Sequence, residues 1–497
     1  MALELTGSSL TIEDTVKVAR DHADISLAAS AFAACEKAHA LVTELIKADN
    51  VIYGVSVGVG ELDCVDISKE DQKNHQENLI LAHACGVGPY MKADQSRAMM
   101  LIRLNNFLRG KSGVSPQLIE SMVAFLNKDL AASAPMLGSI GSSDLVPLSH
   151  MAAALIGEGE IIDGDRHEPA ASVLQRHDLT PYKLRGRDGL ALINGLAQSL
   201  GVATLALSDM RSLVNVAVAT AHLNGELISP GYMSNQYEFI TYKNHSTLDT
   251  LCKTLYELSP ANDDHLVRSP LSCRYALTVF ASLLDALKGA EEAILDELNA
   301  VSDNPIINED GTYTNNSMNT SGARISFALD ALSQVAATAC LASERRTGQL
   351  TVREPINDLP AYMTHKSQDP GSNYGLMIAH YTAASLSLEI RARSHSRSIQ
   401  SVPAGGKFED FNANAGNCAI HLAWLIEMFE YLTAIELLTT LQGYDIIDKK
   451  IPAPFKDLYN SVREEIPTLV ENRLLSRDIN ALAQMIQKRQ VKAPVLF

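Results

Sequence analysis

Five long segments in the second half of the chain restrict its possible folds more than any other feature of the sequence. Each carries apolar residues on more than one helical face, and few runs of the chain alternate with the two-residue period of a strand. A helix that is apolar all round needs cover on every side, as in the middle of a bundle or between subunits. We therefore predict an all-α protein with a long central helical bundle. The segments are 196–227, 276–301, 323–350, 374–396 and 417–445.

The first 200 residues have shorter helical stretches, separated by glycine-rich and polar turns. A loop at 50–62 holds three glycines within seven residues, and a turn at 138–150 reads GSIGSSDLVPLSH. Glycines in such turns allow backbone conformations that other residues resist. We predict a smaller, mostly helical N-terminal domain at 1–200, and a second domain at 201–497 that contains the central bundle and the C-terminal helices.

The net charge argues against two classes of partner. With 41 Lys and Arg against 58 Asp and Glu, the formal charge is −17, which repels nucleic-acid phosphates and anionic membrane surfaces. The N-terminus has no basic region followed by an apolar run, and no uncharged apolar stretch reaches the length of about 20 residues that spans a bilayer. We therefore expect no nucleic-acid partner, no membrane and a cytoplasmic location.

Cysteine usage fits the same compartment. The seven cysteines are scattered and include no Cys-x-x-Cys pair, which argues against a disulfide framework and against a zinc knuckle. No group of His, Cys, Asp and Glu residues has the spacing of metal ligands. We expect free thiols in a reducing compartment and no bound metal.

Three residues have both a catalytic and an ordinary structural interpretation. Tyr53 lies in the loop at 50–62, where a tyrosine on a mobile lid could act as an acid or base, or could anchor the loop. His83 ends an apolar helical stretch, where a histidine is often a hydrogen-bonded core residue. Glu389 is followed four residues later by Arg393, which favours an ordinary helix ion pair. From these residues alone, both interpretations stay open.

Several motifs follow one another in an order that resembles the aromatic amino acid ammonia-lyase and aminomutase superfamily, most closely its histidine ammonia-lyase branch. The resemblance extends from about residue 50 to residue 410. It implies an all-α homotetramer whose active sites, each built from three chains, act on a small zwitterionic substrate. The motifs are IYGVSVGVG, NLILAHACGVG, RGKSGV, GSIGSSDLVPLSHMAAALIGEGE, GLALING, VSDNP, SERR and GLMIAHYTAASLSLE.

The resemblance also implies roles for individual residues. Tyr53 matches the lid-loop tyrosine that removes the β-proton, while His83 and Glu389 match residues that recognise a polar substrate ring. Asn194 matches a substrate-binding asparagine, and Arg274 looks like the arginine that pairs with the substrate carboxylate. These matches predict a carbon–nitrogen lyase with most of its substrate-binding groups retained.

Other positions agree less well with the family pattern. Asn319 matches the asparagine of a Gly-Gly-Asn-Phe-His segment, but Thr320 and Ser321 stand in place of its Phe-His. Leu271 stands where the family usually has a tyrosine. These departures surround the position of the prosthetic group that the resemblance implies.

That group, an electrophilic methylidene-imidazolone, forms in the family from an Ala-Ser-Gly tripeptide. The amide nitrogen of the third residue attacks the carbonyl of the first, and glycine permits the close approach. Here only Ser142, Ser143 and Asp144 stand between Gly141 and Leu145, one residue fewer than in the family and without the glycine. A side chain at the third position crowds the turn, so we expect no such group and no other cofactor.

Without the electrophile, the substrate must carry an amine that leaves unaided. A primary amine then eliminates slowly, whereas a quaternary ammonium departs as a neutral amine. Since His83 and Glu389 suit an imidazole-like ring and Arg274 suits a carboxylate, we predict release of trimethylamine from a histidine-derived betaine. Ergothioneine would give thiourocanate, as in the ergothionase branch, and hercynine is the near variant. Tyr53, with a pKa lowered by its neighbours, would take the β-proton.

Alternatives remain for one residue and for the function as a whole. Asp144 could hold the cationic head of the substrate or could cap the turn through backbone amides. The chain could also be an ammonia-lyase or aminomutase for histidine or tyrosine, with the segment 142–144 cyclised. A catalytically inactive paralogue with a binding or scaffold role is the third possibility.

Overall fold

Helix dominates the structure of this chain, with 58% of residues helical and few strands. The structure is a computed structural model that describes residues 2–164, 166–231, 237–259, 268–354, 359–369, 371–406 and 408–497. The predicted all-α class is confirmed. The described residues form two compact units, each assembled from three stretches of sequence. Unit 1 contains the chain up to Ser208, Ala290–Asp330 and Ser396–Ala423, and unit 2 contains Asp209–Gly289, Ala331–His395 and Trp424–Phe497.

The predicted division at residue 200 lies close to the first boundary, at Ser208. The two later stretches of unit 1 were not anticipated. They contain two polar segments between long helices, 302–322 and 401–416, called the polar joints below. These joints belong with the N-terminal region rather than with the second domain of the sequence prediction. Since catalytic groups often lie in loops held by a rigid scaffold, unit 1 gathers most of the candidate site.

Among the described residues, unit 1 begins with eight α-helices and includes every short strand. The strands form a parallel pair (β1–β2), two antiparallel pairs (β3–β5 and β8–β9) and a three-stranded sheet of order β4–β6–β7. The helices are α1 (Ile12–Ala19), α2 (Ala29–Lys47), α3 (Gln72–His83), α4 (Ala93–Phe107), α5 (Pro116–Asn127), α6 (Leu145–Ile156), α7 (Ala170–Arg176) and α8 (Asp188–Ile193). The strands are β1 (Leu3–Leu5), β2 (Ile25–Leu27), β3 (Val87–Tyr90), β4 (Ala131–Ala132), β5 (Pro135–Leu137), β6 (Glu160–Asp163), β7 (Arg166–Pro169), β8 (Ile306–Ile307) and β9 (Tyr313–Thr314).

The helix α4 forms the centre of unit 1, although several of its residues are polar. All residues from Gln95 to Phe107 are buried. The arginines donate to backbone carbonyls of neighbouring segments: Arg97 donates to Val18, Leu126 and Leu130, and Arg103 donates to Ala191 and Ser302. Burying a charged group is tolerated when its hydrogen bonds are satisfied in this way. The helix α4 packs against α1, α5 and β4, while α3, α6 and α8 contact one another.

The predicted long helices are confirmed, with ends that differ by at most a few residues. They are α9 (Ala197–Ile228), α13 (Ala276–Leu298), α14 (Ala323–Leu350), α15 (Met377–Arg393) and α16 (Ala415–Ile446). Four of the five boundaries between the units fall inside α9, α13, α14 and α16, and the fifth, after His395, follows the end of α15. The shorter helices are α10 (Tyr237–Ile240), α11 (Ser246–Leu258), α12 (Leu271–Arg274), α17 (Lys456–Glu465) and α18 (Leu475–Gln487).

One expectation about hydropathy was wrong. By length and composition three helical stretches could cross a membrane: Asp188–Ile228, Ala323–Leu350 and Ala415–Ile446. Their most apolar 18-residue windows are 100%, 56% and 67% buried inside the protein, so neighbouring protein segments cover much of this apolar surface. The expected absence of disulfides agrees with the structure, in which all seven cysteines are free.

Candidate active site

The turn between β5 and α6 has an unusual backbone. Gly141 has a φ of +76°, and a Cβ there would lie 2.2 Å from the backbone nitrogen of Ala415, so only glycine fits. Ser143 has a φ of +90° without being glycine. A residue with a side chain is strained in this region, and such strain persists only where the surroundings fix it.

Two loops of unit 1 hold this turn. The amide of Asn414 donates to the carbonyl of Ile140 over 2.8 Å, and the amide of Gly322 donates to the carbonyl of Gly141 over 3.2 Å. Ser142 also pairs with Ser321 as an isolated antiparallel bridge. Residues from both polar joints therefore fix the turn, which explains why these joints belong to unit 1.

Asp144 anchors the turn from inside. Its side chain is fully buried, and Oδ1 accepts hydrogen bonds from the hydroxyls of Ser139 (2.5 Å) and Ser199 (2.8 Å), while Oδ2 accepts from the amide of Ser199 over 2.8 Å. Burial raises the pKa of Asp144, and these hydrogen bonds oppose the rise. A carboxylate saturated by donors of its own chain is not free to hold a cationic head group. The geometry thus favours the turn-capping alternative, with the cap at the first turn of α9.

Ser143 and Asn194 form a direct pair. The Ser143 hydroxyl donates to Oδ1 of Asn194 over 2.7 Å, and Nδ2 of Asn194 donates to the carbonyl of Asn304 over 2.7 Å. Both side chains are more than nine-tenths buried. The structure therefore brings together two residues that the sequence assigned separately, one to the tripeptide segment and one to substrate binding.

The residues at 142–144 do not fit the ring-forming tripeptide of the family. Ring closure needs the amide nitrogen of the third residue to approach the carbonyl carbon of the first. Here the amide of Asp144 donates to the carbonyl of Gly195 over 2.7 Å, and its side chain is fixed by Ser139 and Ser199. Cyclisation needs a third residue that is free to move and has no side chain. Asp144 meets neither condition.

Two buried arginines fix the joint that follows α13. Arg187 contacts both carboxylate oxygens of Asp303 at 3.0 Å, and Arg103 lies 3.6 Å from the same carboxylate and donates to the carbonyl of Ser302. Burial lowers the pKa of Arg103 to about 10, and the charge of Asp303 opposes this effect. The sequence motif VSDNP thereby holds Asn304 against Asn194, a role that the sequence analysis did not assign.

Tyr53 is half-buried in the glycine-rich loop. Its hydroxyl accepts a hydrogen bond from the amide of Gly60 over 2.8 Å, and its own amide donates to Oδ1 of Asn315 over 3.1 Å. The expectation of a lowered pKa was wrong. Burial raises the pKa of Tyr53, and the negative charges of Glu409 and Asp63 raise it further, against the effect of the Gly60 amide.

His83 and Asn319 also lie in unit 1, with part of their surface accessible. His83 ends α3, and its Nδ1 lies 2.7 Å from the carbonyl of Leu79. Assigning the proton to Nδ1, which then donates to that carbonyl, leaves Nε2 as an acceptor for a ligand. Asn319 is exposed and donates from Nδ2 to the carbonyl of Val301 over 2.9 Å.

Arg274 and Glu389 lie in unit 2. Arg274 is half-buried over the ring of Tyr275, at 5.2 Å, and its Nε has no hydrogen-bond partner among the described residues. Leu271, in the same helix, is 51% exposed. Glu389 is 60% exposed and lies 3.5 Å from Arg393, so the helix ion pair named as its ordinary interpretation is present.

Within the part of the chain that the structure describes, no group of three or more His, Cys, Asp or Glu residues could hold a metal ion. The candidate site of unit 1 is instead a set of hydroxyl, amide and phenol groups around the turn at 138–144. Three members were missed by the sequence analysis, Asp303, Asn304 and Asn315. All three lie in the polar joint at 302–322, where the sequence analysis named Asn319 as a site residue but gave no role to these three.

A sequence profile described as aromatic amino acid lyase matches residues 10–464 of the chain. The histidine ammonia-lyase of Bacillus velezensis is 33% identical over 492 residues, which cover 97% of this chain and 95% of that enzyme. The chain belongs to the aromatic amino acid lyase family. The predicted resemblance to the ammonia-lyase and aminomutase superfamily is thereby confirmed.

Solved structures agree with this membership. The histidine ammonia-lyase of Trypanosoma cruzi has a TM-score of 0.90 and 26% identity, with 99% of this chain and 94% of that chain covered. Ergothionase from Treponema denticola, solved with desmethyl-ergothioneine sulfonic acid, has a TM-score of 0.91 and covers 99% of both chains, at 24% identity. The second likeness establishes the shared fold alone. Family membership makes the protein a lyase of this superfamily.

Proposed function

We propose that this lyase eliminates trimethylamine from a histidine-derived betaine such as ergothioneine, without a methylidene-imidazolone group. The observation that carries the proposal is Asp144. It stands where ring closure needs a glycine, its amide is bonded to Gly195, and its carboxylate is buried among donors from Ser139 and Ser199. An enzyme lacking the electrophile needs a substrate whose nitrogen is already a good leaving group. A trimethylammonium group meets that need.

The proposed elimination uses amino-acid side chains and no prosthetic group. The Tyr53 phenolate takes the β-proton, the electron pair of that C–H bond forms the C=C bond, and the C–N bond breaks to release neutral trimethylamine. Tyr53 returns its proton to solvent. The raised pKa of Tyr53 makes the phenolate a strong base once formed, and the positive charge of a bound trimethylammonium group favours its formation.

Substrate recognition in this proposal uses groups of different charge. The free Nε2 of His83 suits a polar ring, Arg274 suits the carboxylate, and Glu389 suits the ring N–H. We propose that Arg274 and Glu389 reach the site from other subunits of a homotetramer. Two observations support this assembly: Glu389 is 60% exposed in the single chain, and the same helix exposes large apolar side chains. These are Ile378 (51%), Tyr381 (64%) and Leu388 (63%).

The name of one fold neighbour agrees with the proposed substrate. Ergothionase from Treponema denticola is described as an ergothioneine-degrading enzyme, and its 24% identity leaves the substrate of this chain to experiment. The deciding experiment incubates the purified protein with histidine, tyrosine, hercynine and ergothioneine, and scores products by mass spectrometry for ammonia against trimethylamine. We expect trimethylamine from a betaine only. Turnover of none of them favours a catalytically inactive paralogue.

Histidine ammonia-lyase activity is the second candidate, favoured by the 33% identity to the Bacillus velezensis enzyme over nearly the whole chain. It requires the cyclised ring, and ring formation removes two water molecules from the chain. An intact mass equal to that of the printed sequence excludes this candidate. A mass lower by two waters, together with ammonia release from histidine, overturns the proposal.

Shared active sites have a separate test. Light scattering after size exclusion should give a tetramer. Tyr53→Phe and Arg274→Ala subunits, each inactive alone, should regain partial activity when they are refolded together, because some mixed sites then contain only intact residues. Failure of the mixture to regain activity contradicts site sharing but leaves the reaction itself untouched.

A further inference from the structure

Asn315 contacts the backbone on both sides of Ile52. Its Oδ1 accepts from the amide of Tyr53 over 3.1 Å, and its Nδ2 donates to the carbonyl of Val51 over 2.9 Å. One side-chain amide thus makes the two hydrogen bonds that a neighbouring strand would make. Ile52 is 1% exposed. Its buried side chain and the Asn315 side-chain amide together fix the backbone conformation that leads into Tyr53.

The backbone of Asn315 is itself held from the turn at 138–144. Asn304 donates from Nδ2 to the carbonyl of Asn315 over 3.0 Å, and its own carbonyl accepts from Nδ2 of Asn194. Asn194 in turn accepts the hydroxyl proton of Ser143. Four side chains and the backbone groups between them therefore form a continuous path from Ser143 to the amide of Tyr53.

We propose that Asn315 is a positioning residue for Tyr53, and that this path, the amide relay Ser143–Asn194–Asn304–Asn315, fixes the position of the Tyr53 backbone relative to the turn. The inference rests on the proposed role of Tyr53 as the base. Asn315 acts through the Tyr53 backbone and does not touch the reacting atoms. A base displaced by about 1 Å loses on the order of 10²-fold in rate, so the amide matters to turnover more than to substrate binding.

The test replaces Asn315 in the full-length protein. Asn315→Ala should lower kcat with the best betaine substrate by roughly 10- to 100-fold, with KM within about twofold. Asn315→Asp retains an oxygen that accepts from the Tyr53 amide but loses the donor to the Val51 carbonyl, so it should recover part of the loss. Because the added charge raises the pKa of Tyr53, this variant is compared with Asn315→Ala over a full pH profile. Asn316→Ala is the matched control, because the Asn316 side chain is exposed and makes no hydrogen bond among the described residues.

A second measurement separates this inference from the proposed reaction. Hydrogen exchange followed by mass spectrometry should show faster exchange in a peptide containing Tyr53 for Asn315→Ala, and unchanged exchange for Asn316→Ala. If the wild-type protein turns over no betaine, the proposed function fails. The exchange result still tests whether Asn315 holds the Tyr53 amide. A kcat of Asn315→Ala equal to the wild-type value, or a loss that appears entirely in KM, overturns the positioning role.

Discussion

The turn at 138–144 and the loop at 50–62 are both rich in glycine, yet unit 1 holds them in different ways. The turn is bound by Asn414, Gly322 and Gly195 through its backbone, and by Ser139 and Ser199 through Asp144. The loop exposes part of Tyr53 but buries its neighbours Ile52 and Gly54, and the Asn315 side chain, from outside the loop, accepts a hydrogen bond from the Tyr53 amide. The loop backbone is held as well, since Nε2 of Gln76 donates to the carbonyl of Gly54 and the hydroxyl of Tyr313 donates to that of Val51. Among the described residues, however, the Tyr53 hydroxyl bonds to the Gly60 amide of its own loop, so the phenol is not held from outside the loop.

This difference indicates different roles for the turn and the loop. A segment whose polar groups are all satisfied inside the protein is suited to hold other residues in place. A half-buried phenol whose hydroxyl bonds within its own loop can approach a ligand and exchange a proton. Under the proposed function, the turn that carries the electrophile in the family acts as a support, and Tyr53 carries out the chemistry.

The largest expected effect separates the two regions directly. Tyr53→Phe removes the proton acceptor but little volume, so trimethylamine release should fall by about 10³-fold, while the Kd for the substrate by calorimetry stays within about threefold. Tyr242→Phe is the control, since that tyrosine is 81% exposed. Normal turnover by Tyr53→Phe places the base elsewhere.

Asp144→Ala should instead act on stability. It leaves three buried donors from Ser139 and Ser199 without an acceptor, which we expect to lower the free energy of unfolding by about 3–5 kcal/mol, measured by urea denaturation. Asp144→Asn keeps the shape and should cost less. Asp448→Asn, at a carboxylate that is 92% exposed, should leave the midpoint unchanged. A stable Asp144→Asn protein with weaker substrate binding would return Asp144 to the cation-holding role.

Two substitutions of Ser143 separate the effect of backbone strain from that of hydrogen bonding within the turn. Ser143→Ala keeps the strained φ and loses the bond to Asn194, so it should cost about 1 kcal/mol of unfolding free energy. Ser143→Gly loses the same bond but relieves strain of about 1 kcal/mol, so its midpoint should stay near that of the wild type. Equal loss in both variants contradicts the presence of strain.

The smallest effect concerns the pH profile of the loop. The base works only when ionised, and burial followed by the charges of Glu409 and Asp63 raises the pKa of Tyr53 above its ordinary value of about 10. Activity should therefore still be rising with pH at the alkaline end of the profile. Glu409→Gln removes one negative charge, which lowers the pKa of Tyr53 and moves the rise in kcat/KM to lower pH. Glu409→Asp keeps the charge and should keep the profile.

The sequence predicted the helices better than the site because the two depend on different ranges of interaction. The all-round apolar pattern of 323–350 predicted α14 with the ends that the structure has, since helical periodicity is local. The family motifs likewise predicted Tyr53 and Asn194 as neighbours of one site. Both are joined to the same hydrogen-bond path.

The errors arise where distant segments decide the outcome. The pKa of Tyr53 is raised first by burial and then by the charge of Glu409, more than 350 positions away along the chain, and neither could be read from the sequence of the loop. The carboxylate of Asp144 could bind a cation or anchor the turn, and the sequence does not distinguish these roles. The positions of Ser139 and Ser199 in the structure favour the anchor. No local pattern marks Asn315, since its partners lie more than 250 positions earlier.

The discontinuous assembly of unit 1 has a consequence for biosynthesis. Its last stretch ends at Ala423, so the unit cannot close until more than 200 residues after Ser208 have left the ribosome, which takes roughly 10–40 s at ~5–20 residues per second. During that interval the stretch Asp188–Ile228, whose most apolar window is 100% buried in the finished protein, lacks part of its final cover. Chaperones that shield nascent apolar helices should therefore affect the yield of this enzyme more than its finished stability would suggest.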